Sequence, residues 1–182
     1  YNPFQQKFFH GKEYPTMKCN ADYTQLIWDR LAEQESIYRA IHTGDFASVC
    51  HAPYQDSTYG TQDANYRNRM RLAYYLLYAG IREEEPIHFL FQEELKDRQT
   101  NGFQGIGHAL NVLTVLLRCH NADGKYDTLF QKAKMANFDC AAGYDTAVEI
   151  DPDLNSCDLL DRFRPSRKTM SVAAVLFVIA LL

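Results

Sequence analysis

The chain has 182 residues, 46% of them hydrophobic and 23% charged, the balance of a globular protein with its own core rather than of a disordered chain. A formal net charge of -4 argues against nucleic acid as a partner, because such binding rests on clustered Lys and Arg. Five cysteines (Cys19, Cys50, Cys119, Cys140 and Cys157), odd in number and without a CxxC, read as reduced thiols of a cytoplasmic protein rather than as a disulfide framework.

Residues 1–21 form an aromatic, Pro- and Gly-broken arm, with no signal-peptide pattern at this end. Asp22 opens a helix that is expected to run to His42, on a stripe of Leu26, Ile27, Leu31, Ile37, Tyr38 and Ile41. Thr43-Gly44 ends it, and Asp45 is expected to cap a short second helix with Phe46, Val49 and Cys50 inward. Pro53 stops that helix, and residues 53–64 read as a polar loop.

A helix over 65–79 follows from the spacing of Tyr66, Met70, Ala73, Tyr74 and Leu77, ended by Gly80. Pro86 suits the first turn of the next helix, whose buried face is Ile87, Leu90, Phe91 and Leu95. The acidic run Glu83-Glu84-Glu85 is read as an ordinary helix start, favoured by the helix dipole. Ile106, Leu110, Leu113 and Leu117, widened by Val112, Val115 and Leu116, predict a helix buried on most sides. After Asp123-Gly124, Tyr126, Leu129, Phe130, Ala133 and Ala136 form the stripe of its partner, and a further helix is expected over 144–150.

Three turns recur, at Gly44, Gly80 and Gly124, each expected to join two helices. One helical hairpin cannot bury its own apolar faces, whereas stacked hairpins can. Gly124, Tyr126, Asp127 and Ala136 fit the turn and second helix of a tetratricopeptide repeat, Leu72, Ala73 and Gly80 its first helix, and Gly44, Asp45 and Phe46 the turn again. Over residues 23–140 the chain thus resembles the tetratricopeptide-repeat family. The spacing is irregular, the aromatic-Leu-Gly signature is intact in no repeat, and the proline after the second helix is missing at Asn137-Phe138. The expected fold is all-α, a set of stacked antiparallel helical hairpins over 22–150, as a solenoid or a compact bundle.

Chemistry-bearing motifs are scarce. The histidines (His10, His42, His51, His88, His108, His120) show no HExxH spacing. Cys50-His51 and Cys119-His120 are neighbours that point about 100° apart on a helix and cannot easily share an ion. Gly102, Gly105 and Gly107 are in the wrong order for a dinucleotide fingerprint and read as a loop with a tight helix entry. Asp151-x-Asp153-x-Asn155 begins like a calcium loop but has Ser156 and Arg162 where Gly and Glu are needed. No catalytic residue, metal site or cofactor is assigned.

Residues 151–182 are a charged, turn-rich segment followed by the apolar run Met170–Leu182. Three readings of that run stand open: a buried capping helix, a homodimer contact, or a truncated membrane anchor, since a span needs about 20 apolar residues. The functional expectation is a non-enzymatic protein- or peptide-binding scaffold. Tyr74, Tyr75 and Tyr78 crowd one helix and are the candidate anchors, some of them expected to be exposed. Two alternatives accompany it: an acidic immunity-type inhibitor of a basic toxin or enzyme, and an enzyme whose site folding assembles from His88, His108 or His120 and a carboxylate.

Overall fold

The pattern of apolar residues at helical spacing carries through into the structure, a computed structural model that describes residues 21–150 except 103, and only the backbone for 21–28 and 30. The N-terminal arm up to residue 20, the calcium-loop-like Asp151–Asn155 and the apolar run Met170–Leu182 lie outside the described residues. Helix α1 (Ala21–His42) has the predicted extent. Its Leu31, Gln34 and Ile41 are buried, and Arg39 and His42 sit in its last turn, where the dipole favours cations. Residues 31–150 belong to one compact unit.

The stretch after α1 departs from expectation twice. Instead of a short helix, residues 45–50 make a single turn, in which Asp45 Oδ1 accepts the Ala47 N–H at 3.1 Å and Cys50 N–H reaches the Phe46 carbonyl at 2.9 Å. Instead of a loop, residues 53–63 form an antiparallel hairpin of β1 (Pro53–Asp56) and β2 (Gly60–Asp63), in register from Pro53 opposite Asp63 to Asp56 opposite Gly60. Its strands carry no apolar alternation, so periodicity could not reveal them. The hairpin is made by its polar turn, where Asp56 Oδ1 accepts the N–H groups of Thr58 (2.8 Å) and Tyr59 (2.9 Å).

The remaining helices are α2 (Tyr66–Tyr78), α3 (Glu84–Thr100), α4 (His108–Arg118), α5 (Asp127–Lys134) and α6 (Phe138–Gly143). Helix α4 lies against both α2 and α3, α5 packs on α3, and α6 packs on α5. As predicted, α4 is buried on most sides: Ala109, Leu110, Val112, Leu113, Leu116 and Leu117 are wholly enclosed. Each such Leu contributes about 2 kcal/mol of transfer free energy. Phe91 of α3 meets Phe130 of α5 at a ring-centroid distance of 5.7 Å. The chain is therefore mainly α-helical, with a small hairpin where the all-α expectation had a loop.

The last predicted helix is displaced. No helix covers 144–150; α6 starts earlier because Asn137 Oδ1 caps the Cys140 N–H at 2.8 Å. Tyr144 is left to turn inward, where its hydroxyl pairs with Thr114 Oγ1 at 2.9 Å.

Tyr74, Tyr75 and Tyr78 need correction too. They are 2%, 5% and 4% exposed, so none is available at the surface as an anchor. Helix α2 is enclosed nearly all round, not on one stripe: Leu72, Ala73 and Leu76 are also fully buried. Tyr74 and Tyr78 stack on each other at 6.1 Å, and Tyr75 meets Tyr38 of α1 at 6.2 Å.

Candidate functional site

Along α3, the face that carries Ile87, Leu90 and Phe91 continues into Glu94 and Arg98, three and four residues on per step. The apolar half of the helix thus gives way to a charged half that is equally buried. Glu94 and Asp97 are fully enclosed and Arg98 is 6% exposed. Arg69 of α2, also fully enclosed, enters this ring from the neighbouring helix. Its Nη2 lies 2.5 Å from Asp63 Oδ2, 3.0 Å from Glu94 Oε2 and 3.7 Å from Asp97 Oδ2. Arg98 pairs with Glu94 (Nε to Oε1, 3.2 Å) and with Asp97, and its guanidinium lies 5.2 Å from the centre of the Tyr66 ring.

The glycines that look phosphate-like in sequence serve this cluster. Gly107 has a φ of 77°, and a Cβ there would fall 3.0 Å from Arg98 Nη1 and 3.1 Å from Glu94 Oε1. Arg98 Nη1 also donates to the Gly105 carbonyl at 3.2 Å. Gly102 allows a different approach: its N–H donates to the Thr61 carbonyl at 2.7 Å, and a Cβ would stand 2.7 Å from the Tyr59 carbonyl oxygen. Loop 101–107 therefore touches the charged cluster on one side and the hairpin on the other.

Asp63 connects the two. At the base of the hairpin it accepts N–H bonds from Ala52 and Asn65, both at 2.9 Å, as well as the Arg69 pair. Burial alone would raise its carboxyl, but the two backbone N–H groups and Arg69 outweigh that and hold it below its ordinary value. The hairpin is fastened a third time by Gln62 Nε2 donating to Asn101 Oδ1 at 3.1 Å. On this fixed element Tyr54 and Tyr59 are 49% and 58% exposed.

The histidines distribute around carboxylates in ways the spacing did not announce. His51, Asp63 and Asp97 bring three potential ligand atoms within 4.8 Å of one another. Arg69 Nη2 stands 2.5 and 3.7 Å from the two aspartates, so a guanidinium already supplies positive charge to them, and His51 faces Thr100 Oγ1 at 3.1 Å. His42 lies 3.3 Å from Glu83. His88 packs on the Tyr126 ring at 5.2 Å, and the Tyr126 hydroxyl donates to Glu84 Oε1, which Lys125 Nζ also reaches at 2.6 Å. These two bonds, Lys125 first, hold the Glu84 carboxyl below its ordinary value, and His120 adds a smaller pull. His108 is exposed, and its backbone N–H reaches the Tyr66 hydroxyl at 3.3 Å.

The sequence reading missed Arg69, Glu94, Asp97 and Arg98. A signal was present: Arg69 stands three residues after Tyr66 and four before Ala73, inside the predicted apolar stripe, and Glu94 and Arg98 extend the stripe of α3. Of the cysteines, Cys50, Cys119 and Cys140 are free thiols, and burial raises those of Cys50 and Cys140. No helix among the described residues is long and apolar enough to cross a membrane. Compared with known proteins, the chain matches no family model, no curated protein and no solved structure.

Proposed function

We propose that the chain is a non-enzymatic protein-binding module, in which tetratricopeptide-like helical hairpins act as a scaffold that presents hairpin 53–63 to a protein or peptide partner. The observation that carries this reading is the pair Tyr54 and Tyr59, exposed on an element tied down at Asp63, Thr61 and Gln62. Exposed aromatics with polar tips lose little entropy on binding when their backbone is already fixed, and they are frequent hot spots. The buried carboxylates support the same reading, because each is engaged by a guanidinium at ion-pair distance. Packing of α4 against both members of the α2–α3 pair supports a stack of helices, although α5, after the Gly124 turn, packs on α3 and α6 instead of closing a hairpin with α4.

The test is capture of partners from the native host by the wild type and by the double variant Tyr54→Ala/Tyr59→Ala, matched in melting temperature. The reading expects a protein whose recovery falls at least tenfold with the double variant. Recovery that is indifferent to both tyrosines overturns it.

A second reading, an enzyme with a site assembled by folding, is favoured by one specific arrangement: His88, Tyr126, Glu84 and Lys125 gathered at the start of α3. A turnover found in a broad substrate screen and abolished by Glu84→Gln or Tyr126→Phe would establish that reading over the first.

A further inference from the structure

We propose that the buried Asp63–Arg69–Glu94–Asp97–Arg98 cluster holds one exchangeable proton on Glu94, and that this proton sets how firmly hairpin 53–63 is fastened to the helices. The inference rests on the charge arrangement in the fold and is independent of the binding reading.

The first ground is charge. Three carboxylates (Asp63, Glu94, Asp97) face two guanidiniums (Arg69, Arg98), all with side chains 6% exposed or less. Glu93 beside them is matched by Lys96 at 2.5 Å, and His51, whose ring comes within 4.8 Å of Asp63 and Asp97 at the rim of the cluster, faces Thr100 Oγ1 at 3.1 Å. An uncompensated negative charge in so closed a place is costly, and the cluster is relieved by taking up one positive charge.

The second ground is where a proton can sit. Asp63 has two backbone N–H donors and Arg69, all of which favour its ionised form. Asp97 accepts from Asn101 Nδ2 at 3.0 Å and from Arg98. The hydrogen bonds to Glu94 come from Arg69 alone and both end on Oε2, whereas Oε1 is buried without a hydrogen-bond donor, facing Arg98 at ion-pair distance and Gly107, which offers no side chain. Complete burial pushes its carboxyl up to about 7, against the pull of Arg98 and Arg69, while Asp97 adds to the rise. The other groups that face it are Tyr66 of α2 and Cys140 of α6, both electrostatically coupled to it.

The consequence runs through Arg69. With Glu94 neutral, the guanidinium Nη2 commits to Asp63, its nearest partner at 2.5 Å. With Glu94 ionised, a competing charge stands 3.0 Å from the same nitrogen. The hold on Asp63, and through it on the base of the hairpin, slackens. Because the folded value lies above the unfolded one, the unfolded chain binds fewer protons in the interval between them, and stability falls as pH rises. The contribution is fully present below about pH 4.3, the unfolded value of Glu, and is lost as pH rises through about 7.

Denaturant unfolding of the full chain between pH 4.5 and 7.5, for the wild type and Glu94→Gln, tests this. Gln copies the shape and donor of the protonated acid. The folding equilibrium of the wild type is expected to fall, relative to that of the variant, by about tenfold per pH unit across the middle of the window. Hydrogen exchange at residues 54–62, corrected for intrinsic rate, is expected to quicken over the same range in the wild type only. Equal slopes in the two proteins overturn the proposal. Should Glu94→Gln not fold, carboxyl-carbon NMR of the wild type decides: a Glu94 midpoint near 7 supports the proton, and one near the ordinary Glu value overturns it. Stabilisation by added Mg²⁺, Ca²⁺ or Zn²⁺ with loss of the pH slope shows that a cation balances the cluster, which also overturns it.

Discussion

The two halves of α3 are buried to the same degree by different physics. Ile87, Leu90 and Phe91 in the first half meet apolar neighbours, and their contribution is non-directional and grows with area. Glu94, Asp97 and Arg98 in the second half exist in the interior only because each has a partner at ion-pair distance. The apolar half adapts to a lost methylene by partial collapse. The charged half cannot, because removing one partner leaves the others uncompensated.

That contrast orders the effects of substitution. Arg69→Ala should break the comparison most severely: it removes the cation shared by three carboxylates and should cost about 4 kcal/mol, as expected when a buried pair loses one member. Chemical denaturation at pH 7 measures it, and a loss under about 1 kcal/mol would mean that water already solvates the cluster. Leu113→Ala, on the wholly enclosed face of α4, should cost about 3 kcal/mol, and the loss should track the cavity left behind. Its thermal midpoint should fall equally at pH 5 and pH 7, since no titrating group is touched.

Gly107→Ala lies between the two regimes. A Cβ at φ 77° would press on Arg98 and Glu94, so a loss of about 2 kcal/mol is expected, with local exchange quickened at the start of α4. An unchanged melting temperature would show that the Arg98 side chain moves aside freely. The smallest effect is Asn137→Ala, about 1 kcal/mol, from loss of the cap on Cys140 N–H and of the bonds to the Arg98 and Gly105 carbonyls. Fraying confined to α6 in an exchange experiment would identify the cap as the cause.

Much of the helical framework was legible. The extents of α1 and α2, the apolar face of α3 and the deep burial of α4 all follow from spacing, because helix periodicity is a local property. The glycines at 44, 80 and 124 were rightly placed at turns, each with positive φ, yet Gly44 leads into a turn and a strand hairpin rather than a second helix. Tyr54 and Tyr59 fall in a segment that reads as a polar loop, and Tyr74, Tyr75 and Tyr78 look like anchors in sequence because aromatic density cannot tell an enclosed helix from a half-exposed one.

By itself the sequence determined where helices lie, which of their faces are apolar, and that local motifs for metal or nucleotide are missing. Only the tertiary structure decided that a polar segment closes into a hairpin, that three tyrosines turn inward, and that Asp63, Arg69, Glu94, Asp97 and Arg98 meet in one ring. The physical reason is distance along the chain. Periodicity is written into neighbouring residues, whereas a buried ion pair between residues 69 and 94 exists only once two helices are packed, and a charge has no favourable place in the interior until its partner has arrived there.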